Sequence, residues 1–332
     1  MKLKAGIIGL GRIASLYEED AKAREYYPYL THAGSYFKHP SVELICGSDI
    51  NRNRLKKFGA MWGVNRLYED YNNMLEENSL DILSVCTYPE LHYDVIKSAS
   101  NRVKVIFCEK PFAKNSGEIK SIIKLKNRTG IKIAINLYRE YDKSHIRIRN
   151  SLISGKYGKI QRINCYYGKG LRNMGSHLIG YLVGILEFPE KIEVLNKKKY
   201  REIEEFTYDV YMEFKKDIPV IIQSCDFNNY RLFEMDFICE KGRVQILNEG
   251  FSIKIFNVLG NKAESDAYEL VEAKKDFKST IGYALFYAIE HLINLSRNMK
   301  LEPIVSPEKY LNLQLIIEEI ERQGVDIKCL HN

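Results

Sequence analysis

Residues 5–14 read Ala5-Gly6-Ile7-Ile8-Gly9-Leu10-Gly11-Arg12-Ile13-Ala14. A short apolar run ends in two glycines one residue apart, and a small residue follows three positions later. This is a strand running into a G-x-G-x-x-A turn. The first glycine permits the tight turn, and the second lets backbone approach a pyrophosphate. The small third residue lets the following helix pack closely on the strand, with phosphate at the helix N-terminus. Gly9, Gly11, Arg12 and Ile13 are therefore candidate dinucleotide contacts. The motif alone is weak, and its setting gives it weight: it follows a strand and opens a longer alternation.

Outward from this turn, Glu43–Ser48, Ile82–Thr87, Val103–Cys108 and Lys132–Asn136 are further runs rich in Ile and Val. Helix-like stretches at Asn53–Met61, Glu90–Ser100 and Gly117–Arg128 lie between them. Such a βαβα rhythm predicts a doubly wound parallel sheet with both faces covered. The alternation stops near Asn136, so the first domain is placed at 1–136.

The acid that pairs with a dinucleotide turn should end the second strand, and Asp49 does. However, 38 residues separate it from Gly11, against roughly 20 in the usual arrangement. An insertion of about 15 residues, Leu16 to Leu30, restores the spacing. Its Tyr17, Tyr26, Tyr27, Pro28 and Tyr29 break any clean helical stripe, and helix-like sequence resumes near His32. Asp49 predicts NAD(H) over NADP(H) by binding a ribose hydroxyl. Arg52 and Arg54 keep NADP(H) open, since either can meet a 2′-phosphate.

Two strand ends add chemistry. After the third apolar run come Thr87, Pro89 and His92, with Thr87 and Pro89 where a loop passes the cofactor; His92 suits either ligand contact or packing at a helix start. After Val103–Cys108 come Glu109, Lys110 and Pro111. Ligands of open α/β sheets sit beyond such strand ends, and lysine accepts protons once burial or a neighbouring cation lowers its pKa.

The second half has a different period. Phe206, Tyr208, Val210, Met212 and Phe214 share one side of a strand, and Phe233, Met235 and Phe237 repeat the pattern. This predicts a large, mostly antiparallel sheet with one buried face. Lys215-Lys216-Asp217 and Glu240-Lys241-Gly242 read as hairpin turns. Helical spacing returns at Ile281–Arg297 and Pro307–Arg322. The expected second domain is α+β, 137–332, its C-terminal helix 307–323 packing back toward the first.

At 332 residues the chain exceeds one ordinary core. The seven cysteines lack metal-ligand spacing, and Cys46, Cys86 and Cys108 lie in apolar runs; buried thiols in a reducing cytoplasm are expected, with no metal. No apolar run reaches spanning length, so no membrane association is expected. The net charge of +7 is dispersed without a basic, aromatic-interleaved stripe, which argues against nucleic acid.

Taken together, Gly9-x-Gly11-x-x-Ala14, Thr87-x-Pro89-x-x-His92 and Glu109-Lys110-Pro111 resemble the Gfo/Idh/MocA oxidoreductases. Asn136-Leu137-Tyr138-Arg139 and Gly175-Ser176-His177 extend the resemblance over nearly the whole chain. It implies a nicotinamide-dependent dehydrogenase or reductase acting on a secondary alcohol or ketone of a sugar, polyol or nucleotide-linked sugar. It implies catalytic roles for Lys110 and His177, cofactor contacts that include Glu109 and Lys110, and substrate contacts from Lys110, Arg139, Asn173 and His177. The chain departs from the family's substrate motif at Asn173 and Gly180, where aspartates are usual. Asparagine hydrogen-bonds a hydroxyl but takes no proton as a carboxylate does. The second reading is therefore a catalytically degenerate cofactor-binding regulator or scaffold. The large sheet predicts a homodimer or homotetramer.

Overall fold

The computed structural model describes residues 2–201, 203–260, 266–273, 277–328 and 330–331. The chain divides into two compact units, Met1–Asp142 with Gly282–Leu311, and Lys143–Ile281 with Asn312–Asn332. The sequence-based boundary at 136 thus lies six residues short of the observed one. The helix Ala284–Arg297, expected in the second domain, also falls in the first unit. Its Leu285, Ala288, Ile289 and Leu292 are buried, and it packs on the strands Leu80–Val85 and Val103–Cys108. Each buried Leu or Ile side chain contributes about 1.5–3 kcal/mol, a gain that sequence order does not reveal.

The first unit holds a six-stranded parallel sheet: β1 (Leu3–Ile8), β2 (Val42–Ser48), β3 (Arg66–Tyr68), β4 (Leu80–Val85), β5 (Val103–Cys108) and β6 (Lys132–Ile135), in the order 3-2-1-4-5-6. This is the Rossmann order, which reverses between β1 and β4. The three-residue β3 was absent from the sequence reading, because Arg66-Leu67-Tyr68 makes no apolar run. Register places the site. Ile8 pairs with both Ser48 and Val85, and Cys108 pairs with Val85 and Ile135. The next residues along each strand, Gly9, Asp49, Cys86, Glu109 and Asn136, therefore share one edge of the sheet. Helices Arg52–Trp62, Pro89–Ala99 and Ser116–Thr129 cover its faces with apolar stripes such as Ile119, Ile122 and Leu125. Asn51 and Asn115 cap two of them through side-chain oxygens, leaving fewer backbone N–H groups unsatisfied.

The expected insertion is present, with a definite register. Ser15 N–H donates to Gly11 O at 3.0 Å, closing a first helical turn. The chain then leaves through a 3-10 turn, Leu16–Glu19, and a short helix, Ala21–Tyr26. It returns at Thr31, whose Oγ1 accepts the Gly34 N–H at 3.0 Å and starts the helix His32–Lys38. His32 and Ala33 N–H groups donate to the carbonyls of Ile13 and Ala14 at 3.2 and 2.9 Å. An α-helix joins residues four apart. Here the ladder joins residues 19 apart, so it continues as though 15 residues had been spliced in. The excursion packs on its own unit: the Tyr29 ring lies 4.5 Å from Phe286 and 5.7 Å from Tyr283.

The second unit is built on a mostly antiparallel sheet. Its strands are β7 (Ile160–Tyr167), β8 (Lys191–Lys199), β9 (Thr207–Phe214), β10 (Ile218–Ser224), β11 (Phe233–Cys239), β12 (Gly242–Leu247), β13 (Ser252–Gly260), β14 (Tyr268–Glu272), β15 (Phe277–Lys278) and β16 (Leu330–His331). They run in the order 14-13-12-11-7-10-9-8-16, with β15 beside β13. Tyr208, Val210, Met212 and Phe214 are buried as their spacing predicts, as are Phe233, Met235 and Phe237. Phe206 is the exception. β9 begins one residue later, and the Phe206 ring is 38% exposed beneath the ammonium groups of Lys197 and Lys199. Lys216 and Asp217 have φ of 67° and 56°, the doubly left-handed hairpin turn that suits the right-handed twist of the strands.

Candidate active site

At the switch between β1 and β4, Gly9 has φ +84°, and a Cβ there would stand 2.7 Å from the Cys86 carbonyl carbon. Only glycine fits. Gly11 differs: a Cβ on it would meet nothing within 4 Å, so the turn leaves an open cradle on that side. Ala14 is fully buried, Ile13 is 37% exposed, and the Arg12 guanidinium lies over the Tyr17 ring at 4.2 Å. The insertion thus steadies a cation beside the turn. Thr87 Oγ1 is buried without a hydrogen-bond partner among the described residues. An open cradle and an orphaned hydroxyl near the switch point both fit a dinucleotide.

Asp49 Oδ2 accepts the Leu10 N–H at 2.8 Å and Oδ1 accepts the Asn51 N–H at 2.8 Å. The carboxylate therefore ties the glycine turn to the end of β2. Arg54 Nη1 stands 3.5 Å from Oδ2, and Arg52 pairs with Glu69 at 2.8 Å. His92 is fully buried. Its ring nitrogens face the carbonyls of Phe112 and Thr87, both at 3.1 Å, and burial lowers its pKa. It braces the Thr87–Pro89 loop against the segment after Lys110, with both ring nitrogens turned to backbone carbonyls. Pro89 opens the helix that carries it.

Glu109 is buried and Lys110 half-exposed at the end of β5. Glu109 Oε1 accepts from His32 Nε2 at 2.8 Å and from Asn136 Nδ2 at 2.6 Å, and Oε2 accepts the Lys110 N–H at 3.2 Å. Burial raises the Glu109 pKa, but the His32 hydrogen bond and its companions outweigh it and hold the carboxyl below its ordinary value. Sequence reasoning missed His32, Ser84 and Asn136 as members of this cluster; its closest signal was the resumption of helix at His32. Arg139 is 2% exposed and stacks on the Tyr138 ring at 4.6 Å.

In the second unit, Asn173 lies in a π-helical turn, Leu171–Gly175, that runs into the helix Ser176–Leu186. Such turns often mark functional sites. The Asn173 N–H donates to Glu205 Oε2 at 3.0 Å. His177 is 5% exposed in the first turn of the helix. One turn thus brings these two together, with Gly180 one helical turn further on.

Residues 3–137 match the family model described as an oxidoreductase family with an NAD-binding Rossmann fold. The similarity to the Gfo/Idh/MocA family model is thus carried by residues 3–137. An inositol 2-dehydrogenase of Salmonella typhimurium is 27% identical over 161 residues, 48% of this chain and 44% of that protein. The match thus spans less than half the length of this curated relative. Two solved structures cover nearly the whole chain. An oxidoreductase from Agrobacterium radiobacter in complex with NAD+, L-tartaric acid and magnesium has a TM-score of 0.78 at 14% identity, covering 98% of this chain and 97% of that one. A 3-ketoreductase from Actinomadura kijaniata in complex with TDP-benzene and NADP has a TM-score of 0.75 at 14% identity, covering all of both chains. At that identity they establish the fold alone: a Rossmann unit followed by the large mixed sheet. Among the described residues no group of His, Cys, Asp or Glu could hold a metal, and no helix is long and apolar enough to cross a membrane.

Proposed function

We propose that this protein is an NAD(H)-dependent dehydrogenase or reductase acting on a secondary alcohol or ketone of a sugar, polyol or nucleotide-linked sugar. The observation that carries the reading is Lys110, set on the same sheet edge as the glycine cradle and Asp49. Gly9, Gly11 and Arg12 would hold the pyrophosphate and Asp49 the adenosine ribose. Nicotinamide, when bound, supplies the hydride acceptor or donor. Lys110 Nζ takes the hydroxyl proton of the alcohol in oxidation and returns it in reduction. Arg139, Asn173 and His177 bind and orient hydroxyls, with His177 as the second acid–base group.

Asn173 and Gly180 favour the second reading, a cofactor-binding regulator. Two measurements separate the readings. Fluorescence titration with NADH and NADPH tests the cradle and the preference set by Asp49; tighter NADPH binding would overturn that preference. Turnover of NAD+ with cyclic polyols and nucleotide-linked sugars tests the chemistry. Tight NADH binding with no turnover across the panel would favour the regulator. The half-buried face of the β7–β16 sheet is read as a self-association surface in a cytoplasmic enzyme, a reading that light scattering of a monomer at micromolar concentration would refute.

A further inference from the structure

Tyr36, Ser84 and His32 are fully buried, and their protons fall into one order. Burial pushes the Tyr36 pKa up, so its phenol stays protonated and donates to Ser84 Oγ at 2.8 Å. Ser84 O–H then donates to His32 Nδ1 at 2.8 Å. This leaves the imidazole proton on Nε2, which donates to Glu109 Oε1 at 2.8 Å. The order gives each hydrogen bond one proton and places a proton on His32 Nε2, facing Glu109. Filling the same volume with apolar side chains often costs less free energy than burying such a set, so stability is a poor account of it.

What the set holds is Glu109, and the other Glu109 oxygen accepts the backbone N–H of Lys110. Around Glu109 stand His32, His92, Cys86, Cys108 and Lys110. Burial lowers the His92 pKa and raises those of both thiols well above the ordinary value. The Lys110 ammonium is among the groups whose charge lowers the Glu109 pKa. Resting on the reading of Lys110 as the proton-transfer group, we propose that His32 is a positioning residue for it: its Nε2 proton keeps Glu109 an anchored carboxylate, and Glu109 fixes the place and charge state of Lys110.

Without the His32 proton, burial drives Glu109 toward its neutral acid, and the ammonium of Lys110 loses the favourable charge of that carboxylate. Lys110 then gives up its proton at lower pH. Amine acylation of the full chain by trace acetic anhydride, read at the Lys110 peptide by mass spectrometry across pH, measures this without substrate or turnover. Failure of the functional reading and failure of this inference are therefore separable. His32→Leu and Glu109→Gln should each shift Lys110 labelling to lower pH. On the rising limb, labelling should be about threefold faster or more, the change that half a pKa unit gives. The double variant should shift no further than either single one. His32→Gln, whose amide can still donate to Glu109, should keep the wild-type profile. If His32→Leu does not fold, Ser84→Ala, which frees the tautomer, should shift the profile in the same direction. A wild-type profile in His32→Leu, or an equal shift in His32→Gln, would overturn the proposal.

Discussion

Gly9 and Gly11 stand two residues apart in one turn, yet alanine at each should fail in opposite ways. At Gly9 the backbone has φ +84°, and the added Cβ would stand 2.7 Å from the Cys86 carbonyl carbon and oxygen and 2.8 Å from Thr87 N. These are backbone atoms at the end of β4 and cannot swing aside. The left-handed conformation alone costs an alanine about 1–2 kcal/mol. Parting β1 from β4 brings the expected loss to about 2 kcal/mol or more. For a unit of this size, each kcal/mol moves the midpoint by about 2–4 °C, so Gly9→Ala should melt about 4–8 °C lower. Gly11 has no atom within 4 Å of its missing Cβ and lies outside the left-handed region. Gly11→Ala should therefore stay within about 0.5 kcal/mol of wild type. Its methyl, however, occupies the space into which a pyrophosphate must come. NADH binding should weaken by about tenfold or more, equivalent to about 1.4 kcal/mol. Thermal melts and NADH fluorescence titrations on both variants decide the matter. Undiminished NADH affinity in Gly11→Ala, or an unchanged melt in Gly9→Ala, would refute the reasoning.

Lys110→Met should keep its fold and bind NADH within about threefold, while losing at least about 100-fold in turnover on whichever alcohol the panel identifies; near wild-type kcat would remove Lys110 from its role. Deleting Leu16–Leu30 should give a continuous helix into His32–Lys38 that still binds NADH, because the ladder already skips 15 residues. Deleting one residue fewer rotates the helix by about 100° and should abolish binding, and equal binding by the two deletions would show that the register is irrelevant. The lowered pKa of Glu109 contributes stability that is fully present above the usual carboxylate range and lost as pH falls through the folded value. Wild type should thus lose melting temperature more steeply between about pH 5 and 3 than Glu109→Gln, and parallel acid profiles would contradict this.

Much of the first unit was legible because each strand of a covered parallel sheet is apolar throughout and each helix carries its own stripe. The cradle was legible for a related reason: Gly9, Gly11 and Ala14 are close in sequence, so one local pattern states the whole requirement. Even the insertion could be read, as a spacing too long by a definite amount. His32 shows the limit. It stands 77 residues from Glu109, and nothing beside it in the chain distinguishes a buried hydrogen-bond donor from any helix-start histidine. The two carbonyl partners of His92, at Thr87 and Phe112, were hidden from the sequence for the same reason. Phe206 misled because parity continues past the true end of a strand, whereas pairing does not.

The ladder bonds between Ile13 and His32 and between Ala14 and Ala33 make a socket of the turn after Gly11 and the helix His32–Lys38. The bonded residues on either side of the excursion, Ile13 with His32 and Ala14 with Ala33, are held about one helical pitch apart, roughly 5.4 Å. They are held there by the helix itself rather than by the length or contents of the loop. A hairpin, an epitope or a small folded module whose own termini lie that close could replace Leu16–Leu30 without turning His32 away from Glu109. Sequence length at this point is therefore free to vary, while the atoms on either side keep their places.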